Sequence, residues 1–171
     1  MFGKKTLAET PSTDVKTVRG KTVEVGLPEL IPQSQKYFVK LKFKVTKVEG
    51  TNALTQFHGC NISREQISRI TRKRTQKMEL INEIPTKDDW RLQLTTVMVL
   101  NRRANASIEN KVRNATDAWL KEFGGRTPLD ELVRSVTSGA TQKNLKKMAN
   151  KVYPVRFSEI TKIEVLKPGK A

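Results

Sequence analysis

Residues 37–48 read Tyr-Phe-Val-Lys-Leu-Lys-Phe-Lys-Val-Thr-Lys-Val, and between 39 and 46 apolar and polar side chains alternate without a break. Successive side chains of a strand point to opposite faces, so strict alternation predicts a half-buried β-strand. Val39, Leu41, Phe43 and Val45 take the inner face, and Lys40, Lys42, Lys44 and Thr46 the outer one. Glu49-Gly50-Thr51-Asn52 is a turn, which predicts that residues 53–60 return as a hairpin partner. Val23 and Val25 mark a shorter strand before it. Residues 75–85 and 90–100 read as two more, joined at Lys87-Asp88-Asp89. In the second, Trp90, Leu92, Leu94, Met98 and Leu100 share a face while Val97 and Val99 occupy the other, so this strand is expected to be covered on both sides.

Elsewhere the period changes. Ser63-Arg64-Glu65-Gln66 has a capping-box arrangement and predicts a helix to about Arg74, with Ile67 and Ile70 inward. Ile108, Val112, Ala115, Trp119 and Phe123 follow helical spacing and are expected to stop at Gly124-Gly125. Thr127-Pro128 opens a second helix lined by Leu129, Leu132, Val133 and Val136. A third carries Leu145, Met148, Ala149 and Val152 inward, before Pro154 and a last strand over 155–166. The order β-β-β-α-β-β-α-α-α-β predicts an α+β fold whose final strand rejoins the sheet. The 171 residues fit one domain over 20–168. Residues 1–19 are expected as an extended basic arm carrying Lys4 and Lys5, and 169–171 as a short tail.

Composition narrows the class of function. With 33 Lys and Arg against 17 Asp and Glu, the net charge is +16. Half of it lies in 63–80 and 139–153, each contributing +4. No apolar run reaches the ~18 residues of a membrane span. Residues 1–5 lead into polar sequence without the apolar core of a signal peptide. The single Cys60 allows no internal disulfide and no thiolate cluster. The expectation is an intracellular, very basic globular protein whose first partner is a polyanion.

Clustered cations repel one another unless anions neutralise them, and a nucleic-acid backbone supplies regularly spaced phosphates with release of counterions. The strand face Lys40, Lys42, Lys44 is one such cluster, although lysines also protect a sheet edge from aggregation. The helix face Lys143, Lys146, Lys147 and Lys151 is another, and ordinary solvation explains it equally well. Arg72-Lys73-Arg74, with Arg69 and Lys77 nearby, and Arg102-Arg103 offer guanidinium forks for phosphate. Asn105 stands ready for a base edge or a 2′-hydroxyl, while Lys4 and Lys5 of the arm, Lys111, Arg113 and Arg156 complete the candidate contacts. Two Trp, two Tyr and six Phe, mostly on inward faces, leave no stacking platform, so phosphate and shape contacts with RNA are expected. Bulky apolar residues opposite the helix lysines, which a membrane-surface helix needs, are missing.

An enzyme reading rests on His58 and Cys60, which two-residue spacing on a strand would place on one face. A metal there needs further ligands, and a dyad needs a third group to orient the imidazole. A packed histidine and a buried thiol explain the pair better. No cofactor and no small-molecule substrate are expected.

Leu41-Lys42-Phe43-Lys44-Val45, Lys47-Val48-Glu49-Gly50-Thr51, Phe57-His58-Gly59, Arg72-Lys73-Arg74-Thr75, Thr86-Lys87-Asp88, Arg102-Arg103-Ala104-Asn105 and Tyr153-Pro154-Val155-Arg156 occur in an order that resembles the eS-one (S-three-a-e) family. These are small-subunit ribosomal proteins of archaea and eukaryotes. The resemblance implies a non-catalytic rRNA-binding protein with a mostly antiparallel, partly closed β-barrel-like sheet and about four flanking helices. It implies a place in the cytoplasm on the platform of the small subunit, near the mRNA exit, against rRNA and neighbouring ribosomal proteins. Arg72, Lys73, Arg74, Arg102, Arg103 and Asn105 carry over as rRNA contacts. Asp89 stands where many members have Gly. The chain starts after a basic, Trp-containing stretch usual in the family and lacks the long C-terminal extension of eukaryotic members, which suggests an archaeal or reduced-genome source. A free-standing RNA-binding translational regulator remains the alternative, with an RNA-acting enzyme behind it.

Overall fold

The computed structural model describes residues 5–12, 14–31, 36–71, 73 and 75–169. Lys4, Arg72 and Arg74, all expected RNA contacts, lie outside the described residues. The chain forms two compact units, Met1–Ser63 and Arg64–Ala171. Each contains three antiparallel strands in an open arrangement, and the class is α+β.

The first unit is built on the alternating stretch. Strand β2 (Val39–Glu49) lies between β1 (Thr22–Gly26) and β3 (Asn52–Ile62). Val39, Leu41, Phe43 and Val45 are buried as expected, and Lys40 and Lys44 are exposed. Phe43 meets Phe57 edge to face, with ring centroids 6.3 Å apart, the arrangement favoured by aromatic quadrupoles. Two single-turn helices were not foreseen, α1 (Val15–Val18), inside the stretch expected to be extended, and α2 (Leu27–Leu30). At four residues neither shows a period, but Pro28 in the first turn and the buried Leu27 explain why α2 forms there.

The alternation does not continue through β3. Lys42 pairs with Gly59 but Phe43 pairs with Phe57, so His58 is the extra residue of a β-bulge. The bulge resets the pleat, and Phe57, Cys60 and Ile62 all reach the core despite the odd step between the first two. His58 is left half-buried in the bulge, whereas Cys60 is buried opposite Leu41. The shared face expected of this pair is therefore broken.

In the second unit β5 (Arg91–Leu100) lies between β4 (Gln76–Pro85) and β6 (Val155–Lys167). Residues 97–100 are all buried, as the two-sided pattern predicted. Helix α3 (Arg64–Ile70) precedes β4 and ends four residues earlier than expected. The remaining helices are α4 (Ala106–Arg126), α5 (Leu129–Ser138) and α6 (Ala140–Ala149). α4 packs on β4 and α6 on β6, and these two helices also touch.

Three expectations about these helices need correction. The buried line of α4 is Val112, Thr116, Leu120 and Gly124, not the apolar series ending at Trp119 and Phe123. Those two aromatics flank the seam half-buried, stacked at 5.1 Å. Thr116 is tolerated inside because its hydroxyl donates to its own helix at Val112 O, 2.8 Å away. Gly124 lies within the helix, which continues to Arg126, because the backbone there runs against Ile84 and Pro85. In α6 the helix closes at Ala149, so Val152 falls beyond it and is exposed, while Met148 is only half-buried.

Candidate nucleic-acid interface

The pairing register carries several separate basic motifs to one end of the second unit. Gln76 at the start of β4 pairs with Leu100 at the end of β5, and Leu100 pairs with Val155 at the start of β6. The link from β5 to α4 contains Arg102, Arg103 and Asn105, and all three are exposed. It is fixed from several sides. Asn101 N–H donates to Pro154 O (3.2 Å), Ala104 N–H to the Gln76 side-chain oxygen (2.7 Å), and the Tyr153 hydroxyl reaches Arg103 O at 3.4 Å.

Asn105 is the N-cap residue of α4, but it caps through its backbone carbonyl, which accepts from Ile108 and Glu109 N–H. Its side chain makes no cap bond to the helix, so its amide remains presented to solvent. The α4 N-terminus adds the partial positive charge of its macrodipole to the two arginines. Such a surface, with guanidinium forks, a side-chain amide and a helix N-terminus, is suited to phosphate oxygens.

Lys73 is exposed just before β4, and Arg156 is exposed just inside β6. In β6, Val99 pairs with Phe157 and Leu100 with Val155, so Arg156 is the extra residue of a bulge. The bulge turns Phe157 to the face of Val99 and Lys77, where the ring is 44% exposed. Phe157 was missed as a candidate because the irregular register hides its outward direction. It provides one exposed aromatic close to the basic end, where none was expected.

Other expected contacts lie on the helices or are already engaged. Lys111 and Arg113 are exposed on α4, about 9–12 Å along the helix from Asn105 at 1.5 Å per residue. Lys143, Lys146 and Lys147 are exposed along α6, and Arg69 is exposed on α3. Lys77 forms an ion pair with Glu79 at 2.5 Å, which offsets part of its charge.

The basic face of the first unit is less uniform than its sequence. Lys40, Lys42 and Lys44 recur every second residue, about 6.8 Å apart. Lys42, however, meets Glu24 of β1 at 2.8 Å, and the two are direct cross-strand partners. The hydrogen bond from Lys42, and then its charge, hold the Glu24 carboxyl below the usual carboxylate range. Lys5 is also engaged, donating to Glu29 O. Among the described residues Lys40 and Lys44 form no such ion pair, although the Lys40 charge also helps to lower the Glu24 pKa.

Among the described residues no group of three or more His, Cys, Asp or Glu side chains could hold a metal ion. No helix among them is long and apolar enough to cross a membrane.

A family model described as the Ribosomal S3Ae family matches residues 1–169. The chain belongs to the Ribosomal S3Ae family. Among its relatives, the small ribosomal subunit protein eS1 of Archaeoglobus fulgidus is 35% identical over 167 residues, covering 96% of this chain and 79% of the relative. The protein of the same name from Desulfurococcus amylolyticus is 30% identical over 165 residues, covering 96% and 78% respectively. That from Pyrobaculum arsenaticum is 31% identical over 161 residues, covering 94% and 73%. The expected resemblance is thus borne out over almost the whole chain. The S3Ae family is one of ribosomal structural proteins, not an enzyme family.

Proposed function

We propose that this chain is a non-catalytic structural constituent of the small ribosomal subunit in the cytoplasm, binding rRNA through phosphate and shape contacts. The observation that carries the reading is the convergence of Arg102, Arg103, Asn105, Arg156 and Lys73 at one end of the second unit's sheet. These residues come from three strand ends and a helix start, and a shared polyanion accounts for their clustering. Family membership supports rRNA as that polyanion. Lys40 and Lys44 form a second contact surface, and the α6 lysines a third. Arg72 and Arg74 belong to the same reading through their sequence position beside Lys73.

On this reading the protein sits on the platform near the mRNA exit, beside neighbouring ribosomal proteins and within reach of mRNA. Sucrose-gradient fractionation of cells tests the main reading. The protein is expected to sediment with small subunits even at moderately high salt. Recovery mainly at the top of the gradient would instead support the free-standing RNA-binding regulator. Crosslinking of the assembled subunit tests the finer placement: products with rRNA near its 3′ end are expected, and their absence would overturn it.

A further inference from the structure

The two arginines of the proposed interface lie on a link that has no regular secondary structure of its own, yet its backbone is held. Ala104 N–H donates to Gln76 Oε1 at 2.7 Å, and Gln76 Nε2 donates to Glu109 in the first turn of α4. One amide side chain thus joins the first residue of β4, the middle of the link and the start of the helix. Its orientation is determined by its partners, since only the oxygen can accept from an N–H and only the nitrogen can donate to a carboxylate. We infer that Gln76 is a positioning residue that presets the Arg102–Asn105 link for RNA. The inference rests on the interface reading above.

The physical argument concerns the cost of ordering. A flexible link must lose conformational freedom when its arginines engage phosphates, and a link already held in the free protein loses less. Gln76 carries no charge, and both ends of its amide are already engaged by Ala104 and Glu109. It therefore affects affinity without affecting the number of counterions released, which the salt dependence counts. Its bond to Glu109 also engages a carboxylate that would otherwise repel phosphate at the helix N-terminus. Tyr153 acts in the same sense on Arg103 O, through a longer contact of 3.4 Å.

The test uses the full chain, full-length small-subunit rRNA of Archaeoglobus fulgidus as the probe, and a salt series. Gln76→Met removes both hydrogen bonds at similar size. It is expected to weaken binding by about three- to tenfold at every salt concentration, with the slope of log K against log salt unchanged. Amide exchange at Ala104 is expected to be faster than in the parent, where the amide is hydrogen-bonded to Gln76. If Gln76→Met does not fold, Gln76→Asn withdraws the same groups by one methylene and is read in the same way. Unchanged affinity alongside a released Ala104 amide overturns the inference, as does a reduced salt slope. Arg102→Ala combined with Arg103→Ala separates the two claims. If this pair weakens binding and lowers the slope while the Gln76 variants leave binding intact, only the positioning role fails. If the pair changes nothing, the interface reading fails and the positioning role with it.

Discussion

Gly124 on α4 sits directly against Ile84 on β4: a Cβ at Gly124 would overlap the Ile84 side chain and come within 2.7 Å of Pro85 O. Neither the isoleucine, 1% exposed, nor the strand backbone has room to withdraw. Gly124→Ala should therefore destabilise the fold by about 1–3 kcal/mol, the usual cost of overpacking. Its neighbour Gly125 faces open space in the same helix, so Gly125→Ala should be neutral or stabilising by about 0.5–1 kcal/mol. Urea unfolding of both variants checks the contrast, and equal effects would contradict the packing argument.

Asp89, in the β4–β5 turn, has φ 59°, in the left-handed region. Aspartate visits that region more readily than most residues, but glycine does so without the Cβ penalty. The turn is closed independently by Thr86 N–H to Trp90 O at 2.9 Å and Asp89 N–H to Thr86 O at 3.2 Å. Asp89→Gly should keep the turn and raise stability by up to about 1 kcal/mol, because the relieved strain exceeds the added chain entropy. A thermal melt showing clear destabilisation would mean that the Asp89 side chain contributes something beyond backbone geometry.

Lys42 and its neighbours on β2 should differ in their effect on RNA binding. Lys40→Ala and Lys44→Ala should each lower the salt slope by about 0.7–0.9 for a lost phosphate contact. Lys42→Ala should lower it less, because Glu24 already compensates that charge. Conversely, Glu24→Gln should free Lys42 and raise RNA affinity at low salt. Three equal slopes in a filter-binding series would show that the ion pair opens when RNA arrives.

Asn82, Asp117 and Lys121 tie β4 to α4. Asn82 Nδ2 donates to Asp117 Oδ1 at 2.8 Å, and Lys121 Nζ lies 2.7 Å from Asp117 Oδ2. The hydrogen bond from Lys121 is the main cause that lowers the Asp117 pKa; burial opposes it and the Asn82 bond assists it. A carboxyl depressed in the folded state stabilises the fold above its unfolded pKa of ~3.9 and loses that contribution as pH falls through the folded value. The acid limb of stability, measured by urea unfolding at a series of pH values, should therefore be steeper in the parent than in Asp117→Asn. Parallel acid limbs would remove Asp117 from the account.

The elements were legible wherever one face of a segment meets water and the other meets the core. The alternation at 39–46 determined β2 and its inner face, and the helical spacing of Leu129, Leu132, Val133 and Val136 determined the buried face of α5. The clusters of charge were equally plain, since net charge and its position are properties of the chain itself. Family membership, too, followed from the order of motifs. Helix α4 was harder, because Thr116 and Gly124 belong to its buried seam without being apolar. One closes a hydrogen bond with its own helix, and the other is needed for its lack of a side chain.

Register and spatial neighbourhood required the tertiary structure. Bulges at His58 and Arg156 change which side chains face outward, and a sequence pattern of period two cannot locate them. The meeting of Gln76 with Ala104 and Glu109, and of Lys42 with Glu24, joins residues distant in sequence or on separate strands. Hydropathy records what each side chain prefers, not which partner it meets. By itself the sequence determined that this is a basic α+β chain of a ribosomal family with arginines in short clusters. Only chain folding decided which of those charges stand together at one end of a sheet, which are already neutralised, and which backbone holds the arginines in place.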